Sequence, residues 1–211
     1  MTKKEKISFI IQTLNTLYPQ AECCLHYTKP YELLIATRLS AQCTDARVNM
    51  VTPELFAKYP TMESFANAEF EDVCKIIHSC GFYRGKAKSI IEMCQTMLER
   101  FNGEVPDTME ELTSLSGVGR KTANLILGDI YGKPAIIADT HCIRISNRLG
   151  LAKSDRPEIV EKQLKSCIPP QDQTKLCHNL VFFGRDICTA RNPKCDQCPL
   201  TSVCTIYSKI K

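Results

Sequence analysis

The sequence predicts an all-α fold, and three observations support this. Apolar residues recur at three- and four-residue spacings along most of the chain, and no sustained apolar/polar alternation, the pattern of a half-buried strand, is found. Helix start signals precede several of these segments, and no low-complexity linker or internal repeat divides them. The 211 residues are 44% hydrophobic and 24% charged, which suits one globular domain or two small ones and excludes a largely disordered chain.

Most of the helices are predicted from apolar positions that share one face. The first face carries Ile7, Ile10, Ile11, Leu14 and Leu17. A second carries Phe70, Val73, Ile76 and Ile77, with Gly81 where a helix would end. A third carries Ala87, Ile90, Ile91, Cys94, Leu98 and Phe101. Further helices are expected near 30–39, 45–58, 108–114, 120–131, 140–149, 156–167 and 172–183, with start signals at Thr44 or Asp45, at Asp139-Thr140 and at Pro157.

The composition favours a protein of the reducing cytoplasm and is compatible with a nucleic-acid partner. No apolar run is long enough to cross a bilayer, and the charged start, Met1–Lys6, lacks the features of a signal peptide. The cysteine count of 13 is odd and Cys23 and Cys24 are adjacent, which suits free thiols better than a disulfide framework. The net charge of +4 is compatible with a nucleic-acid partner without requiring one.

A glycine-containing turn joins two helical patterns at residues 115–124. Gly117 and Gly119 allow a tight turn whose amides can approach a ligand closely, and Val118 can point into the core. These amides lie at the N-terminus of the next helix, where the positive end of the helix dipole favours phosphate and Arg120 adds positive charge. Two such glycines alone would be typical of a plain linker. The longer motif favours a helix-hairpin-helix that grips a DNA backbone without reading its sequence.

Lys121 is the candidate nucleophile. A lysine on an ordinary helix is a solvated surface charge. Here Arg120 and the positive end of the helix dipole both disfavour the ammonium form, and partial burial would add to this effect. A lysine held neutral in this way is a nucleophile.

Asp139 directly precedes an apolar periodic run, so its local interpretation is a helix N-cap. An N-cap aspartate can also serve chemistry if its second oxygen faces a cleft. Beside a nucleophilic amine, such a carboxylate could stabilise a developing positive charge on a sugar. His141, two residues later, is by default a packed or exposed histidine.

The last part of the chain carries four closely spaced cysteines, with intervals of six, two and five residues: Cys188, Cys195, Cys198 and Cys204. Such density requires a soft metal centre. The intervals match neither the two close pairs of a tetrahedral zinc site nor the short spacings of a ferredoxin. Ligation by four cysteines suits an iron–sulfur cube, and zinc remains the alternative. Arg191 and Lys194 lie in the first interval, where the metal would fix a loop that presents them to phosphates.

These features together resemble the endonuclease III family of helix-hairpin-helix DNA glycosylases. The resemblance rests on the hairpin at 115–123, on Asp139-Thr140-His141 and on the cysteine loop. Leu39-Ser40-Ala41-Gln42 and Asn102-Gly103-Glu104-Val105-Pro106 also match, so the similarity extends from the first helix to Cys204.

The resemblance implies two all-α lobes around a DNA-binding cleft. One is a six-helix lobe, 23–132, that contains the helix-hairpin-helix at about 108–131. The other combines 1–22 with 133–211 and holds the cluster loop, 188–204. Lys121 and Asp139 would face each other across the cleft as nucleophile and catalytic partner, with the damaged nucleotide flipped between them. The four cysteines would ligate a [4Fe-4S] cluster with a structural and DNA-positioning role.

The resemblance also assigns the DNA contacts. Gln42 would enter the gap left by the flipped base, and Phe82 would act as an apolar wedge. Further expected contacts are Gly117, Gly119, Arg120, His141, Arg191 and Lys194. Without the resemblance, Gln42 reads as a capping or surface amide and Phe82 as a core aromatic.

Three positions depart from the family pattern. Ser116 stands where proline is usual, which would loosen the turn. Phe82 replaces the more usual leucine and so alters the shape of the wedge. Cys142 replaces an aliphatic residue, which is neutral for packing.

The function implied is a DNA glycosylase with AP lyase activity that removes oxidised pyrimidines from duplex DNA and cleaves 3′ to the abasic site by β-elimination. We expect a cytoplasmic monomer, associated with the nucleoid if the source is bacterial, and no membrane partner. The alternatives are a monofunctional mismatch or adenine glycosylase of the same superfamily, which would use the aspartate and water, and a non-catalytic metal-containing DNA-binding module. The hairpin lysine and the lack of an extra recognition domain favour the lyase.

Overall fold

The computed structural model describes residues 1–207 and is all-helical over that range, which confirms the predicted fold class. The helices are α1 (Lys3–Leu17), α2 (Pro30–Ser40), α3 (Asp45–Lys58), α4 (Met62–Ala66), α5 (Phe70–Ile77), α6 (Tyr83–Arg100), α7 (Met109–Ser114), α8 (Arg120–Asp129), α9 (Thr140–Arg148), α10 (Pro157–Lys165) and α11 (Gln173–Asp186). Among these residues, no helix combines the length and the apolar character needed to span a bilayer.

The chain forms two compact units. One is continuous, from Cys23 to Tyr131, and the other combines Met1–Glu22 with the chain from Gly132 onward. The division falls between 131 and 132, and the sequence prediction put it between 132 and 133. Residues 208–211 of the predicted terminal lobe lie outside the described residues.

The continuous unit contains α2 to α8, with Phe65 of α4 at the centre of its aromatic core. The Phe65 ring is fully buried, and its centroid lies 5.3 Å from that of Tyr59, 6.2 Å from Phe56 and 6.4 Å from Tyr31. The helices α2 to α8 number seven, whereas the sequence predicted six for this unit. The additional helix is α4, whose five residues are too few to show a helical period.

The discontinuous unit packs the first helix against the last long one. Four residues of the predicted apolar face of α1, Ile7, Ile10, Ile11 and Leu14, are buried. Leu17, predicted on the same face, is 40% exposed, because it is the last residue of the helix. Polar contacts join α11 to the last turn of α1 and to the segment that follows it. Asn179 donates to Asn15 Oδ1 at 2.7 Å, and Lys175 Nζ donates to the carbonyls of Pro19 and Ala21, each at 2.8 Å.

Several predicted helix starts are confirmed. The Thr44 side chain accepts from the amide of Arg47 as the N-cap of α3, Pro157 is the first residue of α10, and Asp139 caps α9. Gly81, expected at a helix end, has φ +69° and ends the 3₁₀ turn His78–Cys80 that follows α5.

Candidate nucleic-acid interface and iron–sulfur loop

The hairpin between α7 and α8 is a tight turn built on Gly117. The Val118 amide donates to the Leu115 carbonyl at 3.1 Å, and Gly117, the third residue of that turn, has φ +76°. Positive φ at this position defines a type II turn and favours glycine. Val118 is 7% exposed, so it anchors the turn in the core as predicted.

The two hairpin glycines differ in their surroundings. A Cβ on Gly117 would lie 2.6 Å from Arg38 Nε and 3.0 Å from Ser89 Cβ, so the turn packs directly on α2 and α6. A Cβ on Gly119 would meet nothing within 4 Å, and its φ of −98° is open to any residue. The fold itself therefore accepts a side chain at 119, and the contact of Gly119 with DNA stays a prediction.

Ser116 is anchored, contrary to the expectation that it would loosen the turn. Its hydroxyl donates to Glu92 Oε2 of α6 at 2.7 Å. Ser116 is the second residue of the turn, the position at which proline fixes φ in type II turns. A side-chain hydrogen bond therefore provides the restraint that a proline ring would otherwise give.

Lys121 lies in the first turn of α8, two residues after Gly119, the N-cap of the helix. The side chain is exposed, so burial adds nothing to the effects of Arg120 and the helix N-terminus. Within the described chain the amine makes no hydrogen bond or ion pair. Arg120 and the helix N-terminus remain beside it, and the amine is free to reach a bound ligand.

Gln42 and Phe82 both lie on exposed turns with left-handed backbone. Gln42 has φ +53° and follows the last residues of α2, whereas Phe82 has φ +47° and is the N-cap of α6. Phe82 is 74% exposed, so its default interpretation as a core aromatic is wrong. A large aromatic side chain is uncommon on an exposed turn, and a positive φ is uncommon at a residue other than glycine. Both features therefore suggest a functional role for these turns.

Asp139 caps α9 and keeps one oxygen available. Its Oδ1 accepts from the Cys142 amide at 2.7 Å, as the cap interpretation predicted. The other oxygen, Oδ2, has no hydrogen-bond partner among residues 1–207. Cys142 is fully buried, and its hydrogen bond with Cys177, together with burial, raises the pKa of its thiol.

His141 packs within the terminal unit. The ring is half-buried, its Nδ1 lies 3.2 Å from Nη2 of Arg144, and a Cβ on Gly184 would approach that nitrogen to 2.4 Å. The structure thus gives the ring a packing role beside α11. Its contact with DNA stays a prediction.

The four clustered cysteines surround one cavity of about 260 Å³. The lining residues are Arg148, Ile187, Cys188, Pro193, Lys194, Cys195, Cys198, Thr201, Cys204, Ile206 and Tyr207. Burial raises the pKa of the Cys198 thiol, a backbone hydrogen bond at Leu200 lowers it, and the neighbouring thiols Cys188, Cys204 and Cys195 raise it further.

This arrangement fits an iron–sulfur cluster. No group of three or more His, Cys, Asp or Glu in residues 1–207 converges closely enough to hold a single metal ion. Four thiols line a mostly apolar cavity that has room for a polynuclear centre. Thiolates are the ligands that such centres use, and their positive irons offset the mutual repulsion of the sulfurs.

Arg148, at the end of α9, holds both ends of the cysteine loop. Its guanidinium donates to Cys188 Sγ at 3.3 Å and to the carbonyls of Thr189 and Ala190 at 2.8 and 3.1 Å. Its own carbonyl accepts from the amide and hydroxyl of Thr205 at 3.0 and 2.8 Å. Sequence reasoning missed this role, because one arginine in a helix carries no local signal of its distant partners.

The two basic residues of the loop differ in their availability. Arg191 is exposed, and its side chain has no partner in the described chain. Lys194 is exposed but pairs with Asp186, with 3.3 Å between Nζ and Oδ1.

The comparisons with known proteins agree with this site. Residues 35–170 match the model of the HhH-GPD superfamily base excision DNA repair protein, and residues 188–204 match that of the iron–sulfur binding domain of endonuclease III. Endonuclease III of Synechocystis sp. is 45% identical over 204 residues, covering 96% of this chain and 93% of the relative. That of Bacillus subtilis is 43% identical over 205 residues, covering 97% and 94%.

Solved structures extend the similarity to the whole fold. A trapped endonuclease III–DNA covalent intermediate has a TM-score of 0.92 and 42% identity, covering 100% of this chain and 99% of that one. A thermostable thymine-DNA glycosylase, 22% identical, shares the fold with a TM-score of 0.87.

The hairpin, the cysteine loop and these matches define a base excision repair DNA glycosylase of the helix-hairpin-helix class. Within that class, the chain belongs to the endonuclease III family. It is accordingly a DNA N-glycosylase with AP lyase activity and a [4Fe-4S] cofactor, as the resemblance implied.

Proposed function

We propose that this enzyme removes oxidised pyrimidines from duplex DNA, with Lys121 as nucleophile and Asp139 as its catalytic partner. The observation that carries the proposal is the exposed, unpartnered amine of Lys121 beside the hairpin turn. A hairpin that holds the phosphate backbone would bring this amine close to a nucleotide taken out of the stack.

In the proposed reaction, the neutral Lys121 amine attacks the sugar C1′, and the glycosidic bond breaks as the base leaves with the bonding electrons and takes up a proton. The C1′–O4′ bond of the sugar then breaks, O4′ takes up a proton, the amine gives one up, and a Schiff base joins C1′ to Nζ. Removal of a C2′ proton expels the 3′ phosphate by β-elimination. The Oδ2 atom of Asp139 stabilises the positive sugar and assists proton transfer.

The remaining parts position the DNA. Gly117, Gly119 and Arg120 hold the backbone at the hairpin, and Arg191 and Lys194 hold it at the cysteine loop, with His141 as a further contact. Cys188, Cys195, Cys198 and Cys204 hold the cluster, which fixes that loop. The enzyme acts as a monomer in the cytoplasm.

Borohydride trapping tests the nucleophile. Borohydride added during turnover reduces a Schiff base and leaves the protein covalently joined to the DNA. Lys121→Gln should abolish the adduct, while duplex binding stays largely intact because the hairpin amides remain. Lys153→Gln, at another exposed lysine, serves as the control and should trap normally.

Two outcomes would contradict the assignment. Efficient trapping by Lys121→Gln would mean that another amine is the nucleophile. Base removal by the unmodified enzyme without any trapping would indicate a glycosylase that uses water. A panel of duplexes with one defined lesion each tests the substrate class, and preferential release of undamaged mismatched bases would overturn it.

A further inference from the structure

The turns that carry Gln42 and Phe82 need to be held in place. Residues 40–43 form a type II turn, in which the Cys43 amide donates to the Ser40 carbonyl at 3.0 Å and Ala41 has φ −58° and ψ 114°. Gln42 is its third residue, a place that favours glycine. Phe82 is likewise left-handed and exposed. A left-handed backbone at a residue other than glycine persists only where contacts with the surrounding structure hold it in that conformation.

One buried amine contacts the chain beside the Gln42 turn, residues 40–43, and at the start of the Phe82 turn, residues 80–83. Lys86, in the first turn of α6, is 1% exposed. Its Nζ donates to the Leu39 carbonyl at 2.7 Å and to the Cys80 carbonyl at 2.9 Å. Leu39 immediately precedes the turn of Gln42, and Cys80 lies two residues before Phe82. The Lys86 amide also donates to the Phe82 carbonyl at 3.1 Å.

A cation suits these two carbonyls. Leu39 lies in the last turn of α2, and Cys80 ends the 3₁₀ turn His78–Cys80. Carbonyls at helix ends lack intrahelical partners and carry the negative end of the dipole. Burial lowers the pKa of Lys86, the nearby Cys43 and Cys80 raise it, and Arg38 lowers it. A buried ammonium is tolerated only while its hydrogen bonds persist, so its partners are constrained in position.

We propose that Lys86 is a positioning residue that holds the Gln42 turn and the Phe82 turn at a fixed separation, so that both side chains enter the opened duplex together. This inference rests on the proposed function, because it takes Gln42 and Phe82 as the residues that enter the DNA. Lys86 itself does not touch the substrate.

A mutant cycle tests the inference. The variants are Lys86→Met, which keeps the length of the side chain but removes its charge and donors, the double variant Gln42→Ala/Phe82→Ala, and the triple variant. Each is assayed for single-turnover base removal from one duplex with an oxidised pyrimidine, at a temperature where circular dichroism shows it folded. Lys86→Met and the double variant should each lose about 10- to 100-fold, as expected for misplaced positioning groups.

The triple variant gives the decisive comparison. If Lys86 acts through the two turns, the triple variant should be no slower than the double variant. Losses that multiply would show a merely structural role and overturn the proposal. If Lys86→Met does not fold, Lys86→Gln, which keeps a donor, takes its place in the cycle.

Hydrogen exchange gives a second readout that does not depend on catalysis. In the Lys86 variant, amide exchange should accelerate in 40–43 and 80–83 together, relative to α1 and α11 as internal references. Acceleration of neither segment, or of one alone, would refute the link between the turns. If the double variant keeps the unmodified rate, the assignment of Gln42 and Phe82 fails, and exchange still decides the role of Lys86.

Discussion

In the hairpin turn, a hydrogen bond from the Ser116 hydroxyl provides the restraint that a proline ring would give. Ser116→Ala should lower the free energy of unfolding by about 1 kcal/mol, because the Glu92 carboxylate loses a donor and the turn loses a restraint. Urea unfolding measures the change. Ser114→Ala is the matched control, since that hydroxyl contacts only the Glu111 carbonyl of its own helix. Equal stability of Ser116→Ala and the unmodified protein would mean that the bond does not restrain the turn.

The basic residues of the cysteine loop should differ in their effect on DNA affinity. Arg191→Ala should weaken binding to damaged and undamaged duplex equally and reduce the slope of log affinity against log salt by about one, because phosphate contacts carry no sequence information. Lys194→Ala should have a smaller effect, since its amine is shared with Asp186. Titrations at several salt concentrations measure both slopes. Unchanged slopes in both variants would exclude contact between this loop and DNA.

Two lysines show what residue type and local motif can and cannot indicate. Lys121 could be proposed as the nucleophile because the hairpin motif beside it is long and specific. Its exposure could not be predicted, since either face of a helix can carry a lysine, and the structure exposes both Arg120 and Lys121. Lys86 could not be identified at all. Lysine is rarely buried, and the two carbonyls that hold it belong to segments 47 and 6 residues away.

At the scale of the element, α9 joins a proposed catalytic residue to the cysteine loop, because Asp139 is its N-cap and Arg148 is its last residue. Asp139→Asn keeps a side-chain oxygen for the Cys142 amide, whereas Asp139→Ala removes the cap and should cost about 1 kcal/mol of stability. Both variants should be slow in base removal, because both lack the carboxylate. Thermal unfolding and single-turnover rates separate the two effects.

On a preformed abasic site no base has to leave, so Asp139→Asn should retain some borohydride trapping there. Full glycosylase activity in Asp139→Asn would limit the residue to a capping role.

Most helices could be predicted because each buries one face, which produces a period that is visible in the sequence. The face of α1 is an example, with Ile7, Ile10, Ile11 and Leu14 all buried. Short elements could not be predicted, since α4 completes little more than one turn. The link from α9 to the cysteine loop also escaped, because it consists of hydrogen bonds between residues 40 or more positions apart.

At the scale of the molecule, the cluster and the loop that holds it should depend on each other. The purified protein should be brown and contain about four irons, as a cube held by four thiolates requires. Cys198→Ala should lose the iron and destabilise the loop together. Cys167→Ala, at a half-exposed cysteine outside the loop, is the control and should keep both. Iron and zinc analysis with visible absorption measures the result, and active, colourless protein with stoichiometric zinc would overturn the cofactor assignment.

The discontinuous unit also has a consequence for synthesis on the ribosome. The helix α1 emerges first, yet its partner α11 begins at Gln173, more than 150 residues later along the chain. At ordinary translation speeds this delay is on the order of 10 s. During that time the continuous unit, 23–131, can fold by itself while the apolar face of α1 stays uncovered. A nascent chain can therefore possess its hairpin before the helix that follows Asp139 has its final surroundings.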